Sequence, residues 1–178
     1  MEKKYELTDE ILEVGGRVLH RINALRDFGN IKQGEIGGWI ENEDNLSHCG
    51  DCWVYGNAKV YGNAKVYGDA EVLGDAEVYG NAEVHGNAIV LGDAEVHGNA
   101  IVLGNAEVEK KSDYIVFKNW WSSGRYFTWT RSNDKWSVGC FYGTGEELIK
   151  KAYNDSDESG REYERIVRYV ESIKSEIK

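Results

Sequence analysis

Between residues 54 and 108 the chain repeats every six residues, and this period constrains its fold more than any other feature. Each unit reads Val-x-Gly-(Asn or Asp)-Ala-x, and the twelve-residue phrase that begins at Val84 recurs with one change, Asp93 to Asn105. A six-residue period cannot follow the 3.6-residue turn of an α-helix, and a glycine in every unit would cost a helix about 1 kcal/mol each time. The repeat therefore predicts a solenoid of short strands.

Within a unit, the valine and the alanine lie four residues apart, so both side chains point to the same side of an extended strand. The Gly-Asn or Gly-Asp pair between them supplies the backbone angles of a corner. Burying one valine side chain contributes about 1.5 to 3 kcal/mol before the entropy cost of ordering it. We therefore expect the row from Val54 to Val108 to face inwards, together with the alanines.

The aliphatic residue that opens each unit, with a small residue four positions later, resembles the hexapeptide-repeat proteins. That resemblance implies a left-handed parallel β-helix with three units per coil, and so about three triangular coils over residues 54–108. The segments Ala24–Gly29, Gly37–Ile40 and Asn45–Ser47 resemble a cap of hexapeptide-repeat proteins encoded by bacteriophages and prophages. This second resemblance implies a viral origin and not a reaction.

The repeat divides the chain into three regions and predicts a mainly β fold. Residues 1–53 are expected to form an N-terminal cap and an irregular first coil, residues 54–108 the β-helix, and residues 109–178 a small α+β domain. Counting back in sixes from Ala58 places Cys52, Leu46 and Ile40 inside the first coil. In the last region, DYIVFKNWW, YFTWT and KWSVGCFYG predict three strands, and two capping-box sequences predict two helices.

Charge and composition exclude several classes of protein. The net charge is −10, and the repeat carries two basic and eight acidic residues. This negative charge argues against direct DNA binding. The alternative is that the acidic rod mimics nucleic acid toward a basic protein. There is no membrane-length apolar run and no signal-peptide pattern, and the three cysteines suggest no disulfide scaffold. We expect a cytoplasmic protein of the bacterial host, with no membrane association.

The outward row, formed by the residue after each valine together with Ile89 and Ile101, is unusually apolar for a solvated surface, which is typical of association. We therefore expect a homo-oligomer; the family resemblance favours a trimer, and a dimer is the alternative. The candidate interface residues are Tyr61, Tyr67, Tyr79, His85, Ile89, His97 and Ile101.

Two groups of residues are candidates for catalysis or metal binding. Some hexapeptide-repeat acyltransferases use a histidine near a subunit boundary, but a twelve-residue spacing places His85 and His97 on different faces, and the long loop of those enzymes is missing. Cys49 and Cys52 form a single CxxC with no partner motif to complete a zinc site. We expect no catalytic residue, no metal and no cofactor.

The last region interleaves aromatic and basic side chains, a pattern that can stack bases and neutralise phosphates. The alternative is that half of these side chains face the helices, and only one of the neighbouring tryptophans 120 and 121 can do so. The candidate partner-binding or ligand-binding residues are Trp120, Trp121, Arg125, Trp129, Arg131 and Lys135.

These features predict a non-enzymatic, phage-type binding protein. It would oligomerise through its β-helix and bind a host protein or a nucleotide-type ligand, as an inhibitor of a bacterial antiviral defence, of the anti-CRISPR type or as a sponge for a nucleotide signal. The alternatives are an acyltransferase-like enzyme and a structural protein of the virion.

Overall fold

The computed structural model describes residues 2–177. The chain begins with three strands, β1 (Tyr5–Val14), β2 (Arg17–Ala24) and β3 (Ile36–Ile40). Ten two-residue strands follow: β4 (Trp53–Val54), β5 (Lys59–Val60), β6 (Lys65–Val66), β7 (Glu71–Val72), β8 (Glu77–Val78), β9 (Glu83–Val84), β10 (Ile89–Val90), β11 (Glu95–Val96), β12 (Ile101–Val102) and β13 (Glu107–Val108). The last region contains β14 (Tyr114–Lys118), β15 (Tyr126–Thr130), β16 (Lys135–Val138), β17 (Phe141–Gly143), α1 (Gly145–Asp155) and α2 (Asp157–Ile173).

The repeat forms a β-solenoid of parallel coils. Each short strand pairs with the strand three units later, as Lys59 does with Glu77 and Glu77 with Glu95, so one coil contains three units. The three faces are the sheets β3-β5-β8-β11, β4-β7-β10-β13 and β6-β9-β12. The hairpin of β1 and β2 extends the first face, and the solenoid makes about four turns including the irregular first coil.

The interior is the row of valines and alanines that the repeat predicts. Every valine from Val54 to Val108 and every alanine from Ala58 to Ala106 is 0–1% exposed. The corner glycines have positive φ angles, and they stack on one another: a Cβ on Gly68 would lie 3.0 Å from the backbone nitrogen of Gly86. The glycine is therefore required both for its backbone angle and for the close approach of the next coil.

In the first coil the interior prediction is confirmed, but the register differs. Ile40 pairs with Val60 and Leu46 with Val66, so both lie in the valine row and not in the alanine row. Cys52 does lie in the alanine row, since its N–H bonds to the carbonyl of Gly68 and Trp53 pairs with Glu71. Two extra residues between Leu46 and Trp53 shift the register.

The C-terminal sheet has four strands and not the three predicted, because a turn at Gly139 (φ 55°) divides KWSVGCFYG into β16 and β17. Its order is β14-β15-β16-β17, all antiparallel. One face packs against both helices through a buried cluster that includes Phe127, Trp136 and Val167. The other face covers the open end of the solenoid, so we call residues 114–177 the C-terminal cap.

Hydroxyl groups of the C-terminal cap satisfy the backbone of the last coil. Thr128 Oγ1 accepts a hydrogen bond from the N–H of Ile101 (2.9 Å), and Ser137 Oγ donates one to the carbonyl oxygen of Ile101 (3.0 Å). Ser132 Oγ accepts from the N–H of Glu107 (2.8 Å). These groups replace the partners that another coil would supply.

Neither helix in the described part of the chain is long and apolar enough to cross a membrane.

Candidate functional sites

Aromatic rings form stacked columns on the outside of the solenoid. The ring of Tyr61 stacks on Tyr79 (centroids 5.2 Å apart, planes 2° apart), and Tyr79 stacks on His97 (5.1 Å). A second column joins Tyr67 and His85 at 4.4 Å. The columns form because residues eighteen apart lie directly over each other. We call Tyr61, Tyr79 and His97 the ring column.

The tyrosine hydroxyls tie these rings to the solenoid. Tyr61 donates to Glu77 (2.9 Å), Tyr67 to Glu83 (2.8 Å) and Tyr79 to Glu95 (3.1 Å). Partial burial, and then the neighbouring carboxylates, raise the pKa of all three phenols. The same causes raise the pKa of Tyr55, beside Glu71, to about 12. The phenols therefore stay protonated. The nearly parallel planes of its rings give the ring column a flat surface.

The two candidate histidines lie on different columns, as their spacing predicts, so they do not form a pair. His85 is half-buried, and this desolvation lowers its pKa below the ordinary value, with partial opposition from Glu83. His97 is exposed at the end of the ring column, where its backbone N–H donates to the hydroxyl of Tyr114 (3.3 Å). Of the two, His97 is open to solvent.

The candidate interface residues divide among three faces. Ile89 lies between Glu71 and Glu107 on the β4-β7-β10-β13 face, where it separates two like charges. Ile101 lies on the β6-β9-β12 face, and strand β15 covers its backbone edge. The ring column belongs to the third face, so one isologous contact cannot contain the whole predicted set.

The predicted aromatic surface of the C-terminal cap is largely interior. Trp129 is 1% exposed and its indole N–H donates to Asp134 (2.8 Å), so its ring has no surface to offer a partner. Trp121 packs edge-on against Tyr163 (4.9 Å), whereas Trp120 is 73% exposed. The prediction that only one of these neighbouring tryptophans faces the core is confirmed.

The three predicted basic residues lie at different places on the C-terminal cap. The backbone N–H of Arg131 donates to the carbonyl of Asp113, and its guanidinium lies 3.7 Å from the Asp113 carboxylate, near the end of the solenoid. Lys135 lines a small pocket beside Trp136 and Glu146. Arg125 lines a different and larger cleft. The six predicted residues therefore do not form one patch.

That larger cleft, which we call the C-terminal cleft, has a volume of about 810 Å³. It lies between the β14–β15 loop, the β16–β17 turn and the junction of α1 with α2. Val138, Phe141, Leu148, Ala152 and Tyr163 supply its apolar lining, Arg125, Lys151 and Asp155 its charges, and Asn119, Ser122, Ser123, Cys140, Tyr142, Ser156 and Ser159 its remaining groups.

Of the residues that line the C-terminal cleft, the aromatic and basic pattern of the sequence predicted Arg125 but not Lys151, Ser156 or Ser159. Lys151 is one of several charged residues on α1, and no local signal distinguishes it. The Ser156 hydroxyl caps α2 by accepting from the N–H of Ser159, a pattern that reports a helix start and no ligand. Among residues 2–177, no group of three or more His, Cys, Asp or Glu side chains is arranged to hold a metal ion.

Comparison with known proteins gives one short similarity. No protein-family model matches the chain. The Escherichia coli (strain K12) protein named "Uncharacterized acetyltransferase YdcK" is 36% identical over 61 residues, which cover 30% of this chain and 19% of that protein. The chain thus spans less than a fifth of the length of the curated relative it matches.

This similarity changes two expectations. The relative is named as an acetyltransferase, and this similarity contradicts the expectation that the protein is not an enzyme. The relative is a bacterial protein, so the match adds no support to a bacteriophage origin or to a role against bacterial defence. What the fold and the match support together is a hexapeptide-repeat β-solenoid with a weak acetyltransferase relative.

Proposed function

We propose that the protein binds a nucleotide-type anionic ligand, a class that includes coenzyme A esters, in the C-terminal cleft, and that the solenoid assembles several copies of it. The observation that carries the proposal is the C-terminal cleft itself. Its volume of about 810 Å³ lies within the range of about 300 to 1,000 Å³ that is usual for small-molecule sites.

The chemistry of the C-terminal cleft fits a ligand with an anionic end and an apolar or aromatic end. Arg125 and Lys151 supply two cations, and Asp155 supplies one opposing charge. Guanidinium and ammonium groups are the side chains that most often bind phosphate. Phe141, Leu148 and Tyr163 offer an apolar surface for a base or an alkyl chain.

Assembly is the second part of the proposal. The ring column is flat, its rings are held by hydrogen bonds to Glu77 and Glu95, and half-buried aromatic rings are enriched at protein interfaces. A second copy that covers the ring column would bury this surface. The resemblance to hexapeptide-repeat proteins favours three copies.

Calorimetric titration of the full chain with acetyl-coenzyme A, ATP and inorganic phosphate tests the ligand. We expect the first two to bind, and Arg125→Ala or Lys151→Ala to weaken binding about tenfold or more, since a charge-assisted hydrogen bond contributes about 1.5 to 3 kcal/mol. Lys118→Ala removes an exposed cation outside the C-terminal cleft and should leave the affinity unchanged. Equal affinities for all three variants would refute the site.

Acyl transfer is a second candidate function, which the similarity to the acetyltransferase favours. In that function the exposed imidazole of His97 would act as a general base toward an acceptor hydroxyl or amine. Release of free coenzyme A from acetyl-coenzyme A, measured with a thiol reagent and a panel of acceptors, tests it. We expect His97→Asn to abolish any such turnover and His85→Asn to retain it; turnover that survives His97→Asn would exclude this role.

A further inference from the structure

Lys4 is a fully buried lysine at the start of the chain. Its ammonium group is 0% exposed and donates to the carbonyl of Cys52 (2.7 Å), to the carbonyl of Gly50 (3.1 Å) and to the sulfur of Cys52 (3.2 Å). The ring of Phe28 covers it at 4.9 Å. Burying an ammonium group on two carbonyls and a sulfur, without a carboxylate as direct partner, is costly, so the site calls for a further explanation.

Cys52 is the other half of this pair, and the repeat does not require its sulfur. It lies in the alanine row, where every later unit from Ala58 to Ala106 has no atom beyond Cβ. The side chain is 0% exposed, and its sulfur lies 3.5 Å from the carbonyl oxygen of Ser47. Two reactive side chains thus meet at a place where the fold requires neither an amine nor a thiol.

The surroundings favour the uncharged forms of both groups. Burial lowers the pKa of Lys4, although the nearby Cys52 partly opposes the shift. Burial also raises the pKa of the Cys52 thiol, against the opposing effect of Lys4. An amine without its extra proton has the lone pair that a nucleophile needs.

We propose that Lys4 and Cys52 are a covalent modification site, at which a hydroperoxide joins Nζ to Sγ. The neutral Lys4 amine accepts the thiol proton, and the Cys52 thiolate takes one oxygen atom from hydrogen peroxide. The hydroxide that leaves recovers the proton as water, which gives Cys52 sulfenic acid and a neutral amine. The Lys4 amine then attacks the sulfur: the S–N bond forms, the S–O bond breaks, and the hydroxide leaves with a proton from nitrogen as a second water. Sulfur is oxidised, the peroxide is reduced, and the linked side chains have lost two hydrogen atoms.

The short distance between Lys4 Nζ and Cys52 Sγ makes the amine the nearest nucleophile to the oxidised sulfur. Nζ is already within hydrogen-bonding distance of Sγ, so the second step needs little movement. Cys49, Gly50 and Asp51 beside the pair are exposed, so local opening of this loop admits peroxide. The exposed Cys49 and Cys140 react with bulk reagents more readily. The linkage should therefore form slowly, after oxidation of these two.

Peptide mapping of the full chain after peroxide treatment tests the proposal. We expect a cross-linked pair of peptides, one with Lys4 and one with Cys52, whose mass is their sum minus two hydrogen atoms, and which dithiothreitol separates again. The Cys49→Ser and Cys140→Ser variants should form the same product. Lys4→Arg keeps the charge and the donors but should form no cross-link. The oxidised wild type should also unfold at a higher temperature than the reduced protein, because the link closes a long loop.

Three results would overturn this proposal: a disulfide between Cys49 and Cys52, a Cys52 that remains a thiol after Cys49 is fully oxidised, or a Cys52 sulfinic acid with Lys4 unmodified. Since the wild-type map alone distinguishes these outcomes, the test does not depend on the folding of Lys4→Arg.

Discussion

At the scale of single residues, stability is concentrated in side chains that repeat with the coil. The valines from Val54 to Val108 are buried along the whole row, and they pair in register from coil to coil, as Val60 does with Val78 and Val78 with Val96. On the outer surface, the eighteen-residue coil places one aromatic ring over another, so the neighbours of a residue are set by its position within the coil. Single substitutions therefore have effects that depend mainly on which position of the unit they occupy.

Val84 tests the inward row. It is 0% exposed in a middle coil, so Val84→Asp would bury an unpaired carboxylate. We expect a loss of more than about 3 kcal/mol in the free energy of unfolding, measured by urea denaturation followed by circular dichroism. Asp75→Asn, an exposed change to the residue that this position of the unit already holds at Asn81, is the control and should be neutral. Equal stability of the two variants would mean that the row is misassigned.

His85 should make stability depend on pH. Its folded-state pKa lies below the ordinary value of 6.5, so the unfolded chain binds the proton more readily. The stabilisation is fully present above that ordinary value and is lost as the pH falls through the lowered pKa. The melting temperature of the wild type should therefore fall more steeply from pH 7 to pH 5 than that of His85→Tyr. Tyrosine is chosen because Tyr67 holds the equivalent position in the preceding coil. The control is His97→Tyr, at an exposed position. If the melting temperatures of the wild type and both variants fall in parallel, His85 is not the source of the pH dependence.

At the scale of elements, the ends of the solenoid decide whether the stack is closed. A coil leaves its strand amides unpaired at each end. At the first coil, Tyr5, Phe28 and Trp53 cover the core with aromatic rings. At the last coil, a sheet covers it with hydroxyl groups, and the opposite face of that sheet packs against the two helices.

Thr128 tests the closure of the last coil. Thr128→Val keeps the shape of the side chain but removes the acceptor for the N–H of Ile101, which then has no partner in the cap. We expect a loss of about 1 to 3 kcal/mol in the free energy of unfolding and faster hydrogen exchange at Ile101. Thr128→Ser keeps the hydroxyl and should retain slow exchange. If Thr128→Val exchanges as slowly as the wild type, the hydroxyl does not close the coil.

At the scale of the whole molecule, the faces of the solenoid differ in what they offer a second copy. The ring column presents stacked rings, whereas the face around Ile89 alternates a single isoleucine with glutamates. The flanking Lys59 and Lys111 bind Glu77 and Glu95 at 3.0 and 2.8 Å, so little unpaired charge lies beside the ring column. We therefore expect assembly through the ring column.

Native mass spectrometry of two lysine variants tests this assembly. Tyr79→Lys places an ammonium group beside Glu95, so the solenoid should fold while the flat surface is lost, and the closed oligomer of the wild type should dissociate. Ile89→Lys is the matched control on another face; lysine holds the equivalent position at Lys59, and the assembly should survive. A monomeric wild type, or dissociation by Ile89→Lys alone, would contradict the choice of face.

The sequence by itself determined the coil, the inward rows and the separation of the two histidines. These features are local: each unit repeats the same alternation, and each coil contacts only its neighbours. It also located the change of character after residue 108 and the start of α1, where the predicted capping box of Thr144 and Glu147 is confirmed. The second predicted capping box, from Ser159 to Glu162, lies inside α2, whose cap is Ser156.

Only the tertiary structure decided what depends on contacts between distant residues. Two extra residues before Trp53 shift Ile40 and Leu46 into the valine row, which is visible only when the coils stack. Trp129 lies in the core because the helices pack on its side of the sheet. Lys4 meets Cys52, and Arg125 shares a cleft with Lys151, across long stretches of chain. A periodic pattern fixes which side of a strand is buried, but not which distant residue covers it.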